Sequence, residues 1–567
     1  MFSAHLRAGR GVLTAAVLVL SVLPAPPPAW AQRRAEPPRL VVFIVIDQLR
    51  ADYLTRFQGH FGTGGFRRLM DNGAAFVNAH FSYGCTNTGP GHATIATGRQ
   101  PREHGIVDND WPQGRPNLSS RAAVYDPDAK ILVGEGGKTE GRSPRNLIGI
   151  TLGDQMKLAD RHTRVFTVAF KDRAAILLGG KRADGAYWFD VEVGQFVTSD
   201  WYAQALPGYV RDFNTHRWAD RFVNGKWDRA LPAAAYEGTH PLPREMRTGN
   251  AGLGPAFPHL LPKPAGQPGK DYYEALWASP FGHEVTFEMA RRIVTGERLG
   301  SGDVTDFLGV SLSSFDVAGH LFGPESPEML DMTVRTDRQI ADFLAWLDRA
   351  VGLSRCLVVL TGDHGVSSAP AVLEAAGLPV GRVDLAPLIK ELNVAINKLA
   401  DLPPGRDCIQ VLDLPWVRMD PAVRGFDPEL RGRILAAAKK ALLAVEGVAN
   451  VYTCDELEAG APAPTDTARL LAWRSYYPGR SGELFIEAAP GWAAKGAVRA
   501  NHSMGATSDR HVPLVIMGGP VRAGRYFTPA DPVDLAVTVA ALLGIEPPPG
   551  ASGRVLHEAL DPGDFTR

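Results

Sequence analysis

Cysteine is scarce in this chain. Only four occur in 567 residues, Cys85, Cys356, Cys408 and Cys454, and none has the CxxC spacing of a thiolate zinc site. Net charge is nearly absent too: 60 Lys and Arg against 61 Asp and Glu leave a formal charge of −1. That balance carries no signal for nucleic acid or an anionic membrane, so any anion site is local, built by metals or a few cationic side chains. Internal repeats are missing, and the only biased tract is a proline-rich stretch near the start. Beyond the first 31 residues no run is apolar enough to span a bilayer.

What those first residues do contain is an export pattern. Arg7 and Arg10 precede an apolar run from Val12 to Leu23, then prolines, then Ala29-Trp30-Ala31, a small-x-small cleavage motif. The run is shorter than the roughly 20 residues that span a bilayer. Residues 1–31 therefore read as a signal peptide, and the expectation is a periplasmic or secreted protein with no membrane anchor. An oxidising compartment permits disulfides. Cys408 and Cys454, at the ends of strand-like segments, are a candidate pair; the alternative is buried free thiols, above all for Cys356 inside an apolar strand.

Four apolar runs share one design. Leu40 to Ile46 leads into Asp47, Val165 to Phe170 into Lys171, Phe307 to Phe315 into Asp316, and Leu357 to Leu360 through Thr361 and Gly362 into Asp363 and His364. Runs of this kind fit strands buried on both faces of a parallel sheet. Ligands of open α/β sheets bind outside the carboxyl ends of the strands, which is where these polar residues fall. Helical patterns at 151–160, 284–295, 327–351 and 531–543 lie between and after the runs. The expected fold is α/β over residues 38–567, a mostly parallel central sheet flanked by helices. Two stretches break the alternation: about 174–280, aromatic-rich and read as an inserted cap, and about 370–490, read as an inserted α+β subdomain.

The densest chemistry lies in Thr86-Asn87-Thr88-Gly89-Pro90-Gly91-His92. Pro90 suits a helix start, and Thr88 near that start is a candidate nucleophile beside an anion site. A plain helix cap is the ordinary role for such a threonine. Asp316 and His320 stand four apart after a strand, Asp363 and His364 are adjacent after another, and His502 follows Asn501 in a polar stretch. Carboxylate, imidazole and hydroxyl ligands suit Zn2+, and catalytic zinc keeps one position open.

In order and type, Asp47, Thr88, Asp316-x-x-x-His320, Asp363-His364 and His502 resemble the alkaline phosphatase superfamily. Thr88-Gly-Pro-Gly-His, His104-Gly105-Ile106, Asn109-Asp110-Trp111 and Lys171-Asp172-Arg173 resemble most the periplasmic PafA-type alkaline phosphatases, which use a threonine nucleophile. The resemblance implies two Zn2+ per chain, one held by Asp316, His320 and His502, the other by Asp47, Asp363, His364 and the Thr88 oxygen. It implies that Asn109, Lys171 and Arg173 contact the phosphoryl oxygens, and that small phosphorylated metabolites are hydrolysed as monoesters through a phosphothreonine on Thr88. One position departs: the family has glycine directly after the last histidine, whereas Ser503-Met504-Gly505 follow His502. The alternatives are a nucleotide phosphodiesterase/pyrophosphatase or phosphonate hydrolase of the same superfamily, and a non-catalytic metal-binding protein.

Overall fold

Seven apolar residues in succession, Leu40–Ile46, bury completely, which only a strand covered on both faces allows. The computed structural model describes Met1 and residues 37–560 apart from 114–119, 134–139, 244–245, 247–251, 495–501 and 504. The expected signal segment and Asn501 thus lie outside the described residues. The strands used below are β1 (Leu40–Ile46), β2 (Gly73–Phe76), β3 (Ile131–Leu132), β4 (Val165–Ala169), β5 (Gly185–Asp190), β6 (Gln195–Ser199), β7 (Asp306–Leu312), β8 (Cys356–Gly362), β9 (Ile409–Asp413), β10 (Trp416–Met419), β11 (Val448–Thr453), β12 (Leu484–Ala488), β13 (Leu514–Met517) and β14 (Gly524–Tyr526).

Ten of them form one sheet in the order β14-β2-β13-β8-β1-β7-β4-β5-β6-β3. The four apolar runs are neighbours, β8-β1-β7-β4, and all are parallel. Register fixes the ends: Ile46 pairs with Leu312 on one side and with Gly362 on the other. Asp47, Ser313 and Asp363 therefore follow at one level.

Alternation along β1 splits the core in two. Leu40, Val42, Ile44 and Ile46 face a cluster with the helices Pro280–Glu297 and Pro327–Ala350. Val41, Phe43 and Val45 face another that holds residues of the helices Thr88–Thr97, Leu152–Ala159 and Asp534–Leu543. The third run stops earlier than its apolar pattern: β7 ends at Leu312, and Ser314 opens the helix Ser314–Phe322. Asp316 and His320 accordingly stand one turn apart on a helix face.

The segment expected to be a cap is instead, in its first part, sheet. Helix Asp172–Gly179 and strands β5 and β6 extend the main sheet beyond β4. Tyr187, Phe189 and Phe196 from these strands share one core with Val210, Phe213 and Trp227 from the following residues. Aromatic packing, without a run of aliphatic residues, hid these strands. Within residues 370–490, helices Ala386–Leu399 and Pro428–Leu443 cover a second sheet, β9-β10-β12-β11, with its own apolar cluster.

All four cysteines are free thiols, so Cys408 and Cys454 are not joined. Cys408 Sγ donates instead to Asn397 Oδ1 at 3.3 Å, and Cys454 Sγ lies against Asp455. Among the described residues no helix is long and apolar enough to cross a membrane. Phe43, fully buried in the central strand against Phe307, anchors the second cluster. Phe43→Ala is expected to lower the unfolding free energy by about 3–5 kcal/mol, read from denaturant titration.

Candidate active site

Each strand end delivers its polar residue to the same place. Asp47, Asp363 and His364 are completely buried, and their ligand atoms lie within 4.8 Å of one another. Asp316, His320 and His502 form a second group with the same spacing, drawn from the helix after β7 and the loop before β13. His502 Nε2 is 3.2 Å from His320 Nε2, and His320 Nε2 is 3.2 Å from Asp316 Oδ1.

Lys171 joins the two groups. Its Nζ is 2.7 Å from Asp47 Oδ2, 2.7 Å from Asp316 Oδ2, and donates to Thr88 Oγ1 at 3.0 Å. Burial alone would depress the lysine, but the carboxylates of Asp316 and Asp47 outweigh it and raise its pKa. For Asp47, burial and the nearby Asp363 charge push the carboxyl up against the pull of Lys171. Asp316 is also penalised by burial, yet Lys171 and His320 hold it well below the usual carboxylate range. His364 is penalised by burial as well, but Asp363 and Asp47 lift it to about 9.

These groups fit metal ions by their donor chemistry. Asp47 Oδ1, Asp363 Oδ2 and His364 Nε2 are buried without a hydrogen-bond partner. Their opposite edges are held: Asp363 Oδ1 accepts from the Gln48 N–H, and His364 Nδ1 lies 2.9 Å from the Gly365 carbonyl. His502 Nδ1 is likewise 2.7 Å from the Thr86 carbonyl, which leaves Nε2 for a ligand role. Three buried carboxylates against Lys171 and a His364 lifted to about 9 still leave net negative charge for a divalent cation to offset.

Thr88 is not a cap. Asn87 holds the cap position in extended conformation, and Thr88 is the first helical residue, 1% exposed. The backbone there offers an anion less than the sequence suggests. Gly89 N–H is taken by Asn109 Oδ1, Gly91 N–H by the Asn87 carbonyl, and Pro90 has none. Side chains supply the cradle. The buried Nε of Arg173 has no partner among the described residues, and its Nη1 is 3.9 Å from Asp172. Asn109, Lys171 and Arg173 line one cavity of about 560 Å3, walled by Phe170, Trp188 and Trp277.

Three participants escaped the sequence reading. Gln48 Nε2 donates to Asp316 Oδ1 at 2.7 Å, and Gly319 has no side chain to block it: a Cβ there would meet Gln48 Oε1 at 1.9 Å. His92, one turn after Thr88, stands 3.2 Å from Asp363 Oδ2 and 2.9 Å from the Thr88 carbonyl. Asp108 Oδ1 accepts from Asn87 Nδ2 and from Asn109 N–H, fixing both flanks of the cradle. The helical spacing of His92 from Thr88 was the one available signal. Ser503 takes the place of the family's glycine at a φ of 77°, the left-handed region that favours glycine. Its N–H donates to Thr86 Oγ1 and its hydroxyl to Asn87 Oδ1, which hold it there.

Fold and site together define an enzyme of the alkaline phosphatase superfamily. The family model described as type I phosphodiesterase / nucleotide pyrophosphatase matches residues 41–507, and the chain belongs to that family. Alkaline phosphatase PhoV of Synechococcus elongatus is 33% identical over 532 residues, 92% of this chain and 93% of its own. Alkaline phosphatase PafA of Elizabethkingia meningoseptica is 34% identical over 537 residues, 92% of this chain and 94% of its own. The crystal structure of wild-type PafA has a TM-score of 0.83 at 32% identity, covering 93% of this chain and 100% of that one. A PafA variant structure, TM-score 0.81 at 31% identity over the same shares, has a threonine, an asparagine, a lysine and an arginine replaced. Those four are spaced along its chain as Thr88, Asn109, Lys171 and Arg173 are along this one.

Gly91 lets the Thr88 helix pass close to β8, because a Cβ there would meet the Asp363 carbonyl oxygen at 2.1 Å. Gly91→Ala is expected to displace Asp363, costing about 1–3 kcal/mol by overpacking and weakening metal binding. Calorimetric metal titration and thermal melting check both.

Proposed function

We propose that this chain is an exported alkaline phosphatase that hydrolyses phosphate monoesters of small metabolites through a phosphothreonine on Thr88. Two Zn2+ per chain are held by Asp316, His320 and His502 and by Asp47, Asp363, His364 and Thr88. The observation that carries the reading is Lys171 Nζ at 3.0 Å from Thr88 Oγ1, beside an Arg173 whose Nε has no partner. The match in type and spacing with the four residues replaced in the PafA variant supports the same roles. The N-terminal Arg7, Arg10 and Ala29-Trp30-Ala31 pattern supports export.

Zinc supplies positive charge that favours the ionised hydroxyl and polarises the phosphoryl and leaving oxygens. The protein's own groups set the geometry. Thr88 Oγ1 gives up its proton to solvent and forms a bond to phosphorus as the bond to the leaving oxygen breaks; the electron pair of that bond departs with that oxygen, which takes a proton from water. Lys171 beside Thr88 Oγ1 stabilises negative charge on the attacking oxygen and on the phosphoryl group. Water then bonds to phosphorus as the bond to Thr88 breaks, releasing phosphate and restoring the hydroxyl. His92 bonds near the Thr88 carbonyl and Asp363, and holds the nucleophile's turn against the ligand strand.

Substrate class follows from charge. A monoester dianion has three terminal oxygens, and Asn109, Lys171 and Arg173 offer donors on one cavity wall. A diester has one oxygen fewer for them and less charge. The family's name allows diester cleavage, and these cations favour the monoester.

Thr88→Ala is expected to cut monoester turnover by about a thousandfold or more, with zinc content by metal analysis unchanged; near-normal turnover would refute the covalent role. Lys171→Ala combined with Arg173→Ala is expected to lower kcat/KM for a monoester by about a hundredfold or more, and for the matching diester by under about tenfold. Equal losses would show that the pair does not read the third oxygen.

A further inference from the structure

The second sheet turns one face toward the catalytic unit. Trp416 and Arg418 are two apart on β10 and so share that face, where Trp416 packs with Cys85, Tyr476 and Phe485. Cys85 belongs to the turn that leads to Thr88. Arg418 is only 3% exposed. Its Nη1 donates to the Arg480 carbonyl at 2.8 Å, while Nε and Nη2 are buried with no partner among the described residues. A buried donor without an acceptor costs about 1–3 kcal/mol, and more for a charged group.

Arg418 lines a cavity of about 100 Å3 between the second sheet and the segment Trp111–Gln113. That is room for a few waters at about 30 Å3 each, or for one four-oxygen anion. Two more arginines line it, Arg424 and Arg480. The acid in the lining, Glu483, is already committed: Oε1 takes Arg424 Nε at 2.5 Å and Oε2 takes the Met419 N–H at 2.7 Å. Arg480 stacks on Trp111 and Tyr477, and its Nη1 donates to the carbonyls of Gly105 and Asn146. Three arginines thus line the cavity with a single carboxylate, which is already engaged.

We propose that this cavity is a second, non-catalytic oxyanion site, which takes inorganic phosphate on Arg418, Arg424 and Arg480. The geometry is independent of the reaction; the choice of phosphate as the anion rests on the phosphatase reading, in which phosphate is the product. Occupancy would bridge the second sheet to the segment that follows Asn109, two residues from the cradle.

Equilibrium dialysis of the zinc-loaded protein against radiolabelled inorganic phosphate tests this. Two phosphates per chain are expected. Arg424→Gln, at a half-exposed side chain, should weaken one of them about tenfold or more, with monoester turnover unchanged. Arg418→Gln should remove that one altogether. The Lys171→Ala, Arg173→Ala protein should lose the other and keep this one, so that failure of the catalytic assignment is distinguishable from failure here. A single phosphate per chain in the unmodified protein, or a second one unaffected by Arg424→Gln, overturns the proposal.

Discussion

Three carboxylates buried at the ends of adjacent strands repel one another, and the centre is organised around what offsets that repulsion. Asp47, Asp316 and Asp363 are shielded from water, where each negative charge is costly. Lys171 contacts two of them and the Thr88 hydroxyl at once. His364 and His92 stand beside the third. The arrangement concentrates negative charge at the strand ends and places positive charge next to Thr88.

Such a concentration needs exact strand lengths. The pairing of Ile46 with both Leu312 and Gly362 sets three strand ends level. A slip of one residue would turn every buried side chain of β1 to the opposite face and remove Asp47 from the group. The apolar clusters on the two faces specify that register, so core packing and site geometry are one constraint. Glycine completes it: Gly91 and Gly319 admit backbone and side-chain approaches that any larger residue would block.

Much of this was legible in sequence because the strands of the centre are uninterrupted aliphatic runs that end on polar residues. Asp47, Asp363 and His364 come together, and so do Asp316, His320 and His502. The stretch 370–490, which breaks the strand–helix alternation in sequence, holds the helices Ala386–Leu399 and Pro428–Leu443 over the second sheet. Aromatic strands were harder. Gly-Ala-Tyr-Trp-Phe-Asp at 185–190 has no aliphatic periodicity, so β5 was read as part of a cap. Side-chain networks were harder still. Gln48, His92 and Asp108 owe their roles to contacts across the fold or to a carboxylate distant in the chain, which composition and local spacing do not encode. The helix start at Thr88 promised free N–H groups, yet Asn109 takes the one at Gly89.

The second sheet and its helices lie between Asp363-His364 and His502 in the chain. A polypeptide emerging N-terminus first, from a ribosome or an export pore, presents Asp47, Asp363 and His364 before any of that insertion. It presents Asp316 and His320 by then too, but their third partner only after roughly a quarter of the chain has followed. One ligand group is therefore chemically complete early, and the other stays two-membered until the insertion has passed.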